Sequence, residues 1–269
     1  KHMNDIINFE ESPLPLTKME SLLPDAKIKY QEGVPFPHIV FDDFFDDNVV
    51  EKVLSEFPGK NDIDWIDYYD GNQVKLANEK ESNLGFFTRY LLYSLNSSTF
   101  LTFLEELTGI EDLISDPYFR GGGLHNISRG GKLGVHIDFN KHQKYNLDRR
   151  LNLLLYLNKD WEEEFGGHIE LWDLGMKQCI KRILPIFNKM VIFNTTETSF
   201  HGHPEPLNCP TDRSRKSLAL YYYTIGQQED PVSQPHSTLF RTRPGEKEES
   251  KSKVKLKKFF HRLSKKIKS

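Results

Sequence analysis

Apolar residues follow two regimes along this chain. Up to about residue 110 they recur at helical spacing. From Pro117 onward they crowd into short runs cut by glycines. The first 33 residues are polar and mixed, with Pro13, Pro15 and Pro24, and read as an extension that is either wrapped on a domain or partly disordered. Pro35 and Pro37 lead into a short apolar strand ending at Phe41. Asp46, Asp47 and Asn48 can cap a helix whose apolar positions are Val49, Val50, Val53, Leu54 and Phe57, and Pro58-Gly59 stop it. The spacing predicts a second helix over 84–95. A third starts at Ser97-Ser98, shows Phe100, Leu104 and Leu107 on one face, and ends at Gly109.

The second regime predicts strands. Residues 151–157 form a buried run, 168–172 alternate after Gly166-Gly167, 189–193 form another run, and 217–224 carry the last one, with Tyr221, Tyr222 and Tyr223. Helices followed by many short strands predict an α+β fold with a β-sandwich or jelly-roll core. No internal repeat is visible. After Gly226 the chain turns polar, and 251–268 fits a basic amphipathic helix with Leu256, Phe259, Phe260, Leu263 and Ile267 on one side. Such a helix either meets an anionic membrane or partner or docks on its own domain. The expected organisation is an N-terminal extension (1–33), a main domain (34–226) and a basic C-terminal tail (227–269).

Composition narrows the classes. The 269 residues are 37% hydrophobic and 12% aromatic, enough for one sizeable core. The opening Lys1-His2 reads as a remnant of cloning before Met3. No stretch is apolar enough to cross a membrane and no secretory signal pattern is present. Cys179 and Cys209 lie in no CxxC motif, so neither a disulfide framework nor a zinc ribbon is expected, and a reducing cytoplasm is. The net charge of −3 hides an asymmetry. Of the 36 Lys/Arg and 39 Asp/Glu, 12 and 3 lie in 241–269, a net +9 that leaves −12 on the rest. A tail of that sign suits an anionic surface or partner as well as solvent. No interleaved aromatic and basic platform points to nucleic acid.

The chemistry centres on His136-Ile137-Asp138. Residues two apart in a strand share a face, so this imidazole and carboxylate can converge on one metal. His201, behind Thr198-Ser199-Phe200, supplies a third ligand. Two histidines and one carboxylate leave half an octahedron open, which suits Fe(II) with a bidentate co-substrate and O2. Arg215 offers a planar fork for the far carboxylate of a dicarboxylate, and Ser217 shares its face. Arg213 has the same parity and rivals Arg215; His203 rivals His201 for the metal. His125 and His142 flank the region and read as structural or substrate-contacting. His168 reads as an ordinary surface or core residue. Trp161-Glu162-Glu163-Glu164 reads as a solvated turn. The charged stretch 139–150, with Lys141, His142, Lys144, Arg149 and Arg150, reads as a loop at the mouth of the site or as a mobile solvated one.

The ordered set HxD, strand to Asn158, Gly-Gly, strand, His201 and RxS resembles the prolyl-hydroxylase-like branch of the 2-oxoglutarate and Fe(II)-dependent dioxygenases, over about 35–224. The resemblance implies a double-stranded β-helix (jelly-roll) core with N-terminal supporting helices. It implies oxidation of 2-oxoglutarate by O2 to succinate and CO2, coupled to hydroxylation of an unidentified peptidyl proline-like side chain or small molecule. By position, His136, Asp138 and His201 match the metal triad, and Arg215 and Ser217 match the RxS. Tyr156, and Asn152 four residues earlier on the same face, match the co-substrate pocket. Asn126 stands where several relatives carry a tyrosine. The gap between His201 and Arg215, with Pro204, Pro206 and Pro210, suggests an inserted loop. A binding or regulatory module that keeps the fold without turnover is the alternative from another class. A cupin-like metal enzyme that needs no 2-oxoglutarate is a third.

Overall fold

The computed structural model describes residues 12–226, 234–246 and 251–268, with the backbone only at 251, 262 and 264–268. Helices α1 (Leu16–Gln31), α2 (Asp47–Ser55), α3 (Phe86–Leu95) and α4 (Ser98–Thr108) lie in the N-terminal part. Helix α5 (Lys251–Lys268) ends the chain. The strands are β1 (His38–Phe41), β2 (Ile66–Tyr69), β3 (Gln73–Asn78), β4 (Ile114–Ser115), β5 (Gly123–Ser128), β6 (Lys132–Ile137), β7 (Asp148–Tyr156), β8 (Ile169–Trp172), β9 (Cys179–Ile183), β10 (Lys189–Asn194), β11 (His201–His203), β12 (Ser214–Thr224) and β13 (Leu239–Phe240).

Local chemistry sets the helix ends. Asp46 accepts a hydrogen bond from the Asn48 amide at 2.8 Å and starts α2. Ser97 accepts from the Phe100 amide to start α4, and Gly109, at φ +74°, closes it in the left-handed conformation that glycine adopts without strain. Helix α1 was not foreseen, because Pro24 inside it argues against a helix. Met19, Ala26 and Tyr30 nevertheless fall on one face and are buried, and α1 packs on α4 and β1. Residues 1–11 of the expected extension, and 227–233, 247–250 and 269 of the expected tail, lie outside the described residues.

The strands form one curled antiparallel sheet in the order β1-β10-β7-β12-β5-β3-β6-β11-β8-β9. Strand β3 pairs with both β5 and β6, so the sheet turns back on itself there. This is the double-stranded β-helix, with helices covering one outer face. Strand alternation sorts the side chains. Leu151, Leu153 and Leu155 of β7, Leu218, Leu220 and Tyr222 of β12, and Met190 and Ile192 of β10 join the helices in the main core. Each such fully buried aliphatic side chain contributes roughly 1.5–3 kcal/mol of transfer free energy. The opposite parity, with Asn152, Arg215, Ser217 and Phe193, turns into the hollow of the sheet. Covering both faces explains why β7 reads as a continuous apolar run.

Two parts of the chain depart from the sequence reading. Residues 204–213 form more than an exposed insert: Leu207 and Cys209 are buried with Ile127 and Trp161 in a small satellite core. After Gly226 the chain returns to the sheet, where β13 pairs with β6 and sets Phe240 opposite His136.

Candidate metal and co-substrate site

Strand β6 ends at Ile137, and its last residues bring His136 and Asp138 to the hollow. Strand β11 pairs with β6 so that His201 lies directly across from His136. Ligand atoms of His136, Asp138 and His201 all fall within 4.8 Å of one another, the one such group among the described residues. The His136 Nε2 lies 3.4 Å from Asp138 Oδ1, and the His201 Nε2 lies 3.3 Å from Asp138 Oδ2. Each imidazole sets its Nδ1 2.8 Å from a backbone carbonyl, that of Gly134 for His136 and that of Ser199 for His201. Those carbonyls accept from a protonated Nδ1, which leaves both Nε2 lone pairs aimed at the same point. A buried pair of imidazoles with one carboxylate is a donor set that fits ferrous iron with open positions.

The carboxylate is held from behind. Asn152 donates to Asp138 Oδ2 at 2.6 Å, and the Arg149 guanidinium lies 3.1 Å from the same oxygen. Burial alone would raise the Asp138 carboxyl, but Arg149 and the two histidines hold it well below the ordinary carboxylate range. Burial and the neighbouring His201 push His136 down.

Arg149 is 1% exposed and belongs to strand β7, which corrects the reading of 139–150 as all loop. Its guanidinium is stacked over Tyr221 at 3.4 Å and Phe139 at 4.4 Å, and it donates to Asn152 Oδ1 at 2.9 and 2.6 Å. Asn152 therefore spends its amide on Asp138 and Arg149 rather than standing free for a co-substrate.

On the opposite wall, Arg215 is 5% exposed. It donates to the Gly167 carbonyl at 2.8 Å and to the Tyr156 hydroxyl at 3.1 Å. Burial lowers its pKa, and no carboxylate of the described residues forms an ion pair with it. Ser217 faces the same cavity of about 70 Å³, several times the space one water needs. Arg213 is not the rival its parity suggested. It precedes β12, and its guanidinium bonds the carbonyls of Lys159 and Asp160 outside the cavity. Asn126 is a further correction. On β5 the pocket-facing residues are its neighbours His125 and Ile127, and Asn126 pairs with Lys216 and Leu76 on the other face. The slip is one residue, and in a strand one residue reverses the face.

Other cavity groups carried no sequence signal or a weak one. Lys75 of β3 faces the cavity, and burial pushes its amine down to about 8. His203 lies in the cavity wall outside the three-residue ligand group, and both its ring nitrogens lack a hydrogen-bond partner. Burial first, then the nearby Arg215, hold it well below its usual value. His125 contacts the Gly121 carbonyl at 3.1 Å. His142 lies beside Asp116, away from the metal ligands, and His168 sits 2.8 Å from Glu163 on the rim of β8. Tyr221 faces the cavity, whereas Tyr222 turns to the helices and donates to the Leu95 carbonyl.

Residues 122–223 match the family model of the 2OG-Fe(II) oxygenase superfamily. The chain is similar to prolyl 3-hydroxylase OGFOD1 of Mus musculus, 37% identical over 79 residues, covering 28% of this chain and 14% of that protein. It is also similar to the Xenopus laevis protein of the same name, 25% identical over 230 residues, covering 76% of this chain and 40% of that protein. This chain thus spans less than half the length of these curated relatives. A prolyl hydroxylase from Trichoplax adhaerens, solved in complex with a hypoxia inducible factor oxygen degradation domain peptide, shares the fold. Its TM-score is 0.52 at 16% identity, over 79% of this chain and 94% of that one. Residues 122–223 thus carry the match to the 2OG-Fe(II) oxygenase superfamily, on a fold shared with that prolyl hydroxylase.

Proposed function

We propose that this chain is a 2-oxoglutarate-dependent Fe(II) dioxygenase that hydroxylates a prolyl-like side chain of a peptide. The observation that carries the reading is Arg215. A buried guanidinium is costly without an acidic partner; Arg215 has none among the described residues and shares a cavity with a three-residue metal-ligating group. A dicarboxylate would supply that anion at one end and reach the metal group with the other.

Bound Fe(II) supplies the O2 activation that couples oxidation of 2-oxoglutarate, to succinate and CO2, with hydroxylation. The protein's own residues do the rest. His136, Asp138 and His201 would hold the ion. Arg149 and Asn152 fix the Asp138 carboxylate through its Oδ2. Arg215 would grip the far carboxylate with its planar fork, with the Ser217 hydroxyl beside it and the Tyr156 hydroxyl holding the guanidinium. Phe193, Leu154 and Ile127 give the cavity its apolar wall.

The peptide reading rests on the prolyl hydroxylase names of the relatives and on the peptide complex of the structural neighbour. A small-molecule substrate is the second reading within the same chemistry. We place the chain in a reducing compartment, the cytoplasm, on the strength of two free cysteines. No described helix is long and apolar enough to cross a membrane. The basic segment 241–269 is proposed to meet an anionic partner.

The test is uncoupled turnover. Anaerobically iron-loaded protein is mixed with 2-oxoglutarate, O2 is admitted and succinate is measured. Succinate is expected from the parent and not from His136→Ala. Arg215→Ala is expected to raise the KM for 2-oxoglutarate about a hundredfold or more, because it strands a carboxylate in the cavity. Activity untouched by Arg215→Ala would point to a metal enzyme without 2-oxoglutarate. Tight binding of iron and 2-oxoglutarate, with no succinate from any peptide pool, would point to a binding module.

A further inference from the structure

Helix α5 turns its apolar side the wrong way for a helix that serves its own core. Its docked side carries Val254, Lys258 and His261. The His261 ring stacks on Tyr69 of β2 at 3.8 Å with an interplanar angle of 4°, and its Nε2 lies 2.7 Å from Asp67. Val254 and Lys258 border the cleft between α5, the β2–β3 turn and β13. At about 100° per residue, Leu256, Phe259, Phe260 and Leu263 fall on the opposite side. They are 57%, 60%, 57% and 44% exposed. An amphipathic helix on a soluble domain ordinarily buries that stripe.

The charge on α5 identifies what covers the stripe. Its 18 residues hold nine Lys/Arg and no Asp/Glu. Exposed Lys253, Lys255 and Lys257 flank the apolar stripe. A second copy of the chain would bring nine like charges against nine. A nucleic acid would answer the lysines and leave two phenylalanines wet. An anionic bilayer answers both, because headgroup phosphates and carboxylates meet the lysines while the acyl boundary takes the Phe and Leu side chains. We propose that α5 lies flat on an anionic lipid surface, with Leu256, Phe259, Phe260 and Leu263 inserted and the oxygenase domain strapped behind it through His261, Asp67 and Tyr69.

Flotation of the full chain with lipid vesicles tests this. The protein is expected to float with phosphatidylcholine vesicles containing phosphatidylserine and to stay behind with phosphatidylcholine alone. Replacing Phe259 and Phe260 together by Ser is expected to lower the partition coefficient about tenfold or more. Changing Lys253, Lys255 and Lys257 to Gln is expected to cost about fivefold per charge. Near-ultraviolet circular dichroism checks that each variant is folded, and Leu256→Glu alone stands in if the double change is not. No flotation of the parent protein overturns the proposal, and so does flotation indifferent to the apolar changes. Phe259- and Phe260-dependent dimerisation without flotation would assign the stripe to a second copy. A complex with an acidic polypeptide, with vesicles ignored, would assign it to a protein groove.

Discussion

Asp138 divides its two oxygens unequally. Oδ2 has Asn152 at 2.6 Å, Arg149 at 3.1 Å and His201 at 3.3 Å, whereas Oδ1 has His136 at 3.4 Å. The crowded oxygen is thereby anchored, and the carboxylate is held in place beside the two imidazoles. Arg149→Met removes the anchoring cation, and metal affinity measured by calorimetry is expected to fall about 10- to 100-fold, as it does when groups that orient a ligand are lost. The fold is expected to lose about 3 kcal/mol in denaturant unfolding, because a buried carboxylate loses its partner. Lys75 behaves differently. Burial lowers its amine from the ordinary 10.5 to about 8, so the folded protein gives up that proton before the unfolded chain does. Between those two values the unfolded state binds more protons, and this group's contribution makes stability rise with pH. Below about 8 both states are charged and the full penalty stands. Lys75→Met should therefore be more stable than the parent at neutral pH, with the gap in melting temperature closing as pH rises through that window.

Strand β11 is three residues long, yet it aligns His201 with His136 and is itself held by β8. Its middle residue is Gly202. A Cβ there would meet the carbonyl oxygens of Gly134 and Leu133 at 2.7 and 2.8 Å, both backbone and unable to swing away. Gly202→Ala is expected to push β11 off β6 and weaken metal binding about tenfold or more, because ligand geometry is displaced. A metal titration that matches the parent would refute this. Much of the element layout was legible. Val50 and Val53, or Phe100, Leu104 and Leu107, mark helices by spacing alone, and the Leu run of β7 marks a strand covered on both sides. What escaped has physical reasons. Pro24 disguised α1, whose stability comes from packing on α4 and not from propensity. Strand β13 is two residues long and exists only because β6 offers it an edge.

Across the whole molecule, the order of motifs along the chain singled out three residues that the structure brings together. His136, Asp138 and His201 converge because β6 and β11 are neighbours in the sheet, although about sixty residues separate them along the chain. Arg215 and Ser217 arrive from β12 on the far wall. Asn126 was misplaced by one residue, and Lys75 and Arg149 gave no sign of burial, because parity and depth follow from the closure of the sheet around them.

That closure is completed from beyond the family match at 122–223. Phe240 packs its ring 5.5 Å from that of His136, and Asn140 bonds the backbone at Gln234 and His236. The returning segment thus braces the ligand group. Its expected consequence lies in time more than in affinity: with Phe240 against its ring, His136 is slower to swing off a bound ion. A chelator should strip metal from the parent slowly, and from Phe240→Ala several-fold faster, at nearly the same equilibrium constant.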